Sequence, residues 1–124
     1  MKPLLLFVLI ALSCSYCSDS VDDEQVCYSF DLRQCNGDPW NSDVTRPFEP
    51  SELVTLLSDY LNDNAVPTNR VTVDMTFHRF VCEACVVCPE GPRFYVELNA
   101  SDTTTLINLD LLNTAPAECD LLIN

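Results

Sequence analysis

Glycine is almost missing from this 124-residue chain, which has only Gly37 and Gly91. A zinc knuckle, in which two cysteines turn tightly onto one ion, therefore has little to turn on. Histidine occurs once, at His78, and there is no Gly-x-Ser-x-Gly segment, histidine-rich run or EF-hand pattern. Hydrolytic chemistry and a dedicated calcium loop thus have no motif to rest on. Basic residues are also scarce, six against nineteen acids for a formal charge of −13, and the one lysine is Lys2. A surface of that sign repels nucleic acid and anionic membranes and attracts cations and basic partners. No repeat or low-complexity tract is present, and the one long apolar run, residues 4–12, is too short to span a bilayer.

That run follows Met1-Lys2 and leads into Ser13, Ser15 and Ser18. A basic start, an apolar centre and a small-residue exit are the pattern of a secretory signal peptide, expected here over residues 1–17. Cleavage after Cys17 removes Cys14 and Cys17 and leaves six cysteines, an even number suited to a closed disulfide set. Loss of Lys2 makes the mature chain more acidic still. Residues 18–25, with Asp19, Asp22, Asp23 and Glu24, are expected as an acidic N-terminal tail. Residues 26–124 suffice for one disulfide-stabilised domain with its own core, not for two.

Cys82, Cys85 and Cys88 crowd into one short stretch, while Cys27, Cys35 and Cys119 stand apart. If the valine-rich stretch stays extended, residues an odd number apart point to opposite faces, so neighbours in the triplet cannot bond each other. Of the fifteen pairings open to six cysteines, this leaves those joining the triplet to the three remote ones. A tight turn at Glu83-Ala84 would undo that expectation. With His78 the stretch also reads as four potential zinc ligands, and Cys82-Glu83-Ala84-Cys85 as a redox motif. Secretion favours disulfides over thiolate ligands. The redox reading lacks a helix N-terminus to lower a thiol pKa, and Glu83 would raise it.

Val26, Tyr28, Phe30 and Leu32 alternate as one face of a strand, with Cys27 on the other. Residues 35–48 form a loop rich in turn residues around Trp40, the only tryptophan, expected either to cover one end of the core or to anchor a partner. Pro50, Ser51 and Glu52 begin an amphipathic helix with Leu53, Leu56, Leu57, Tyr60 and Leu61 on one face. Val71, Val73, Met75 and Phe77 alternate as a strand running up to the cysteine triplet, with His78 on its polar side as a surface histidine. Residues 89–92 read as a turn into a strand carrying Phe94, Val96 and Leu98. Asn99-Ala100-Ser101 is a glycosylation acceptor that implies an exposed Asn99. Thr105, Ile107, Leu109 and Leu111 read as a last strand, with Asp102 as the cap of a helix in the competing reading.

The expected fold is α+β, with one amphipathic helix packed on a small antiparallel sheet and stapled by disulfides, and a β-sandwich with a short helix as the alternative. The element order is loosely similar to a cystatin-like arrangement, without the Gln-x-Val-x-Gly segment of cystatins. The expected function is that of a secreted, acidic, non-enzymatic structural or extracellular matrix protein associated with calcium or mineral. A binding protein or inhibitor using the 35–48 loop with Trp40 as anchor is the alternative. A Cys-x-x-Cys redox protein ranks below both. No cofactor or metal site is expected beyond weak calcium binding by carboxylates. Partners are expected among extracellular proteins, matrix components or calcium mineral, with neither nucleic acid nor membrane.

Overall fold

The computed structural model describes residues 23–79, 82–85 and 87–122. The expected leader, residues 1–17, and most of the expected acidic tail lie outside the described residues. The chain runs through β1 (Gln25–Arg33), α1 (Pro50–Asp63), β2 (Thr68–Asp74), β3 (Pro89–Asn99), α2 (Thr103–Asn108) and β4 (Leu112–Ala117). Short 3-10 turns follow β1, β3 and β4. The strands form one antiparallel sheet in the order β2-β3-β1-β4. The fold is therefore α+β, a helix on an antiparallel sheet with three disulfides, and the second sheet of a sandwich is not among the described elements.

The helix α1 has Pro50 in its first turn, where a missing N–H costs nothing, and Glu52 beside the positive end of its dipole. Leu53, Leu57 and Leu61, one turn apart, are all buried. Its end is closed by hydrogen bonds from the Val66 N–H to the Leu61 carbonyl (2.8 Å) and from the Ala65 N–H to the Asn62 carbonyl (3.1 Å). Those are the two bonds of a Schellman motif, which requires a left-handed residue at the position of Ala65 (φ 59°). Val66, turned back by the motif, is buried in the core.

That core lies between α1 and one face of the sheet. Phe30 and Phe94, opposed in the β1–β3 register, stack at 5.6 Å, and Leu32, Val96, Leu98, Leu106 and Leu111 fill in around them. Residues facing the helix alternate with a second set, Cys27, Ser29, Asp31 and Arg33, that points to the opposite face and is also buried. Cys27 is thus on the far face, as its phase indicated, where it packs with Tyr95, Ala117 and Cys119.

Four expectations are corrected. The first is the final strand: residues 103–108 are helical, with Leu106 buried and Ile107 exposed, and β4 begins only at Leu112. Both neighbours of β3 are already taken by β1 and β2, and the chain next pairs beyond β1, on its outer edge. The second is β2, which stops at Asp74 because that carboxylate accepts from the Thr76 N–H (2.8 Å) and hydroxyl (3.0 Å), closing a turn. Third, Pro89 to Pro92 is the start of β3, irregular where Asp31 and Leu32 step from Arg93 to Glu90. Fourth, Gln25, placed in the tail, opens β1.

Candidate functional site

The disulfides join Cys27 to Cys119, Cys35 to Cys85 and Cys82 to Cys88. Only the second links the triplet to a remote cysteine, so the expected pairing does not hold. The stretch is not extended: the Cys88 N–H donates to the Ala84 carbonyl (3.1 Å), and this turn brings Cys82 and Cys88 to a Cα separation of 5.7 Å. Cys82 and Cys85 are not bonded to each other, and all three sulfurs of the triplet lie in bridges. The Cys27–Cys119 bridge holds the C-terminal 3-10 turn (Cys119–Leu122) against the far face of the sheet beside Tyr95.

Two charged nodes form that the sequence reading did not single out, the first of them on that face. Asp31, its side chain 0% exposed, receives Arg93 Nε on Oδ1 (2.7 Å), Arg93 Nη2 on Oδ2 (3.1 Å) and Asn113 Nδ2 on Oδ2 (2.8 Å). His78 Nε2 lies 2.8 Å from Oδ1, so this histidine is drawn into the node and is not the surface residue expected. Burial opposes the charge on Asp31, but the hydrogen bonds from Arg93 and Asn113, with His78 close by, together outweigh it and hold the carboxyl below its usual range. A carboxylate engaged on both oxygens is a tie among β1, β3, β4 and the segment after β2, not a free base. Arg93 also covers the Phe77 ring at 3.8 Å, which leaves that ring 41% exposed at the rim.

Arg33 is the second node. Its Nη1 donates to the Asp110 carbonyl (2.7 Å), its Nη2 to Asp110 Oδ1 (2.7 Å), and its backbone N–H to Asp38 Oδ2 (2.8 Å). Asp38 is buried, and burial pushes its carboxyl up to about 6 although the Arg33 N–H and charge pull the other way. The same loop is closed by bonds from the Asp38 N–H to Asn41 Oδ1 (3.2 Å) and from Asn36 Nδ2 to the Val44 carbonyl (3.0 Å). This internal bonding seats Trp40, 8% exposed, edge-on against Phe94 at 5.3 Å. Trp40 thus covers the end of the core, and an exposed anchor at that position is corrected. Asn99 is half-buried at the end of β3, where its Oδ1 accepts from Gln25 Nε2 (2.7 Å).

Beside the Asp31 node lies a groove of about 390 Å³ lined by Thr72, Val73, Asp74, Met75, Tyr95 and Leu121. Burial raises the Tyr95 phenol above its ordinary range, against the pull of Arg93 and with the help of Asp74 and Asp31. Among the described residues, no group of three or more His, Cys, Asp or Glu side chains is placed to hold a metal ion. Nor is any helix among them long and apolar enough to cross a membrane.

The signal for the nodes lay in the phase of β1. Asp31 and Arg33 share the phase of Cys27, inside a strand whose alternate residues already serve the core. Charges in that position need partners wherever the second face is covered. Comparison of the chain with family models, characterised proteins and solved structures finds no match.

Proposed function

We propose that this chain is a secreted, non-enzymatic structural or extracellular matrix module that works through an acidic exterior, with calcium or calcium mineral as its inorganic partner. The observation that supports the reading is how the arginines are spent. Arg33, Arg46, Arg70 and Arg93 are each paired within the molecule, to Asp38 and Asp110, Glu90, Glu97 and Asp31 respectively. The outer side of α1, by contrast, carries exposed Glu52, Asp59 and Asp63, and no basic residue lies in its last turn. Glu52 in the first turn suits the helix dipole, but an acid at the C-terminal end such as Asp63 opposes it, so its presence there is not explained by helix stability.

Three bridges fit an oxidising compartment, and the leader pattern of residues 1–17 agrees with export. Asn99, at the end of β3, is the proposed site of a sugar. Scattered carboxylates bind calcium weakly and in several equivalents, without one saturable site.

The test is equilibrium dialysis of the secreted protein against millimolar calcium, together with calcium carbonate precipitation. A variant carrying Glu52→Gln, Asp59→Asn and Asp63→Asn serves as the comparison. Multi-equivalent uptake that falls with added salt and drops in the variant is expected. No uptake and no effect on precipitation would remove calcium and mineral from the reading, and turnover in an insulin-reduction assay would overturn its non-enzymatic part.

A further inference from the structure

The two edges of the sheet are built differently. The outer edge of β4 contains Pro116, which cannot donate, and Asn113 in the left-handed region (φ 57°), devices that blunt an edge. The outer edge of β2 has neither. Thr68-Asn69-Arg70-Val71-Thr72-Val73-Asp74 is free of proline and glycine, runs in regular register from Arg70 to Asp74, and among the described residues pairs with β3 alone.

We propose that the β2 edge is a self-association surface on which a second copy of this chain adds its own β2, antiparallel, about a dyad at Thr72. In that register Arg70 of each copy opposes Asp74 of the other, Val71 opposes Val73, and Thr72 meets its own counterpart. The charge pattern of the sheet selects it. Within one copy Asp31, Arg93 and Asp74 lie opposite one another across β1, β3 and β2, and Arg70 lies opposite Glu97, which it binds at 2.8 Å. Across the dyad these join into one row of alternating sign: Asp31, Arg93, Asp74, then Arg70 and Glu97 of the second copy. Moving the dyad to Val71 or Val73 sets Arg70 against a threonine and breaks the row.

One strand pair buries less than a standard interface, and the −13 charge of the chain opposes contact. Association is therefore expected on the order of 100 μM. The experiment is sedimentation equilibrium of the oxidised, secreted protein from low micromolar to millimolar concentration, with Arg70→Glu and Asp74→Lys made separately. Each substitution sets two like-charged pairs across the dyad and is expected to weaken association by about tenfold or more. An equal mixture of the two variants recreates two opposite-charge pairs and should recover association to within about threefold of the parent. Hydrogen exchange of the unsubstituted protein supplies a readout that does not depend on the variants, with amides of β2 gaining protection as concentration rises. A monomer at every concentration overturns the proposal and leaves the edge to a strand of another protein. Single variants that associate like the parent, or a mixture that stays monomeric, overturn the register.

Discussion

Mild acid is expected to stabilise this protein, because Asp38 is buried where its charge is poorly compensated. Its side chain is 1% exposed; the Arg33 backbone N–H reaches it at 2.8 Å, but the Arg33 Nη1 stands 3.4 Å away and is shared with the Asp110 carbonyl. Burial accordingly lifts the folded-state pKa to about 6 from an ordinary 3.8. Above the folded value both states are ionised and the group contributes no pH dependence. Between the two values the folded chain holds a proton that the unfolded chain has lost, so stability rises as pH falls and levels off only below the unfolded value. At about 1.4 kcal/mol per pKa unit, the gain from about pH 7.5 to about pH 4.5 is roughly 2 kcal/mol. Asp31 acts in the opposite direction: its lowered pKa supplies stability above the ordinary value that is lost as pH falls through the folded one, so the gain reverses in stronger acid. Urea unfolding of the oxidised protein, followed by the fluorescence of buried Trp40, measures the profile. Asp38→Asn keeps an acceptor for the Arg33 N–H and removes the titration, so its profile should lack that rise of roughly 2 kcal/mol. Parallel profiles for the two proteins, within about 0.5 kcal/mol, would refute the reasoning.

Three further outcomes can be checked by the same unfolding measurement. Asp31→Ala strands the Arg93 guanidinium beside an apolar gap and should cost about 3 kcal/mol, whereas Asp43→Ala on the exposed loop should stay within about 0.5 kcal/mol. The bridges should rank by the chain they close: Cys27 and Cys119 lie 92 residues apart and Cys82 and Cys88 only 6. Paired replacement by alanine should then cost about 4 to 5 kcal/mol for the first and about 2 for the second. Ala65→Gly relieves the left-handed backbone at the end of α1 and should raise stability by about 1 kcal/mol, visible as a higher urea midpoint at unchanged m-value.

Elements whose shape follows from their own periodicity were legible in the sequence. The α1 leucines repeat at helical spacing and β1 alternates cleanly, so the α+β class, the helix on an antiparallel sheet and the core face of β1 could be read from neighbouring residues alone. Segments whose shape is decided at a distance were not. The alternation from Thr105 to Leu111 suits a strand as well as a short helix, and the chain takes the helix over 103–108, turning Leu106 into the core. Likewise the valines of the cysteine triplet favour extended backbone, yet the Cys35–Cys85 bridge and the bond from the Gln34 N–H to the Cys88 carbonyl hold that segment folded against the end of β1.

The charged nodes show why a strand's polar face is hard to interpret from sequence. Alternation identifies the side of β1 that meets the helix, and the opposite side is ordinarily assigned to water. Here that side is covered by the C-terminal turn, tied down through Cys27 and Cys119, by Phe77 against Arg93 and by His78 beside Asp31. Once covered, Asp31 must be paired, as must Arg33 where the Trp40 loop buries it, and the arginines that pair with the acids are drawn from a small supply. Burial of the far face and acidity of the exterior are thus linked: each arginine committed to a carboxylate inside or along the sheet is one fewer to offset the acids outside. The linkage has a testable form. Arg93→Gln should lower stability through Asp31, and its effect on calcium uptake should be small beside that of neutralising the outer carboxylates of α1, since Asp31 is too buried to meet an ion in solution.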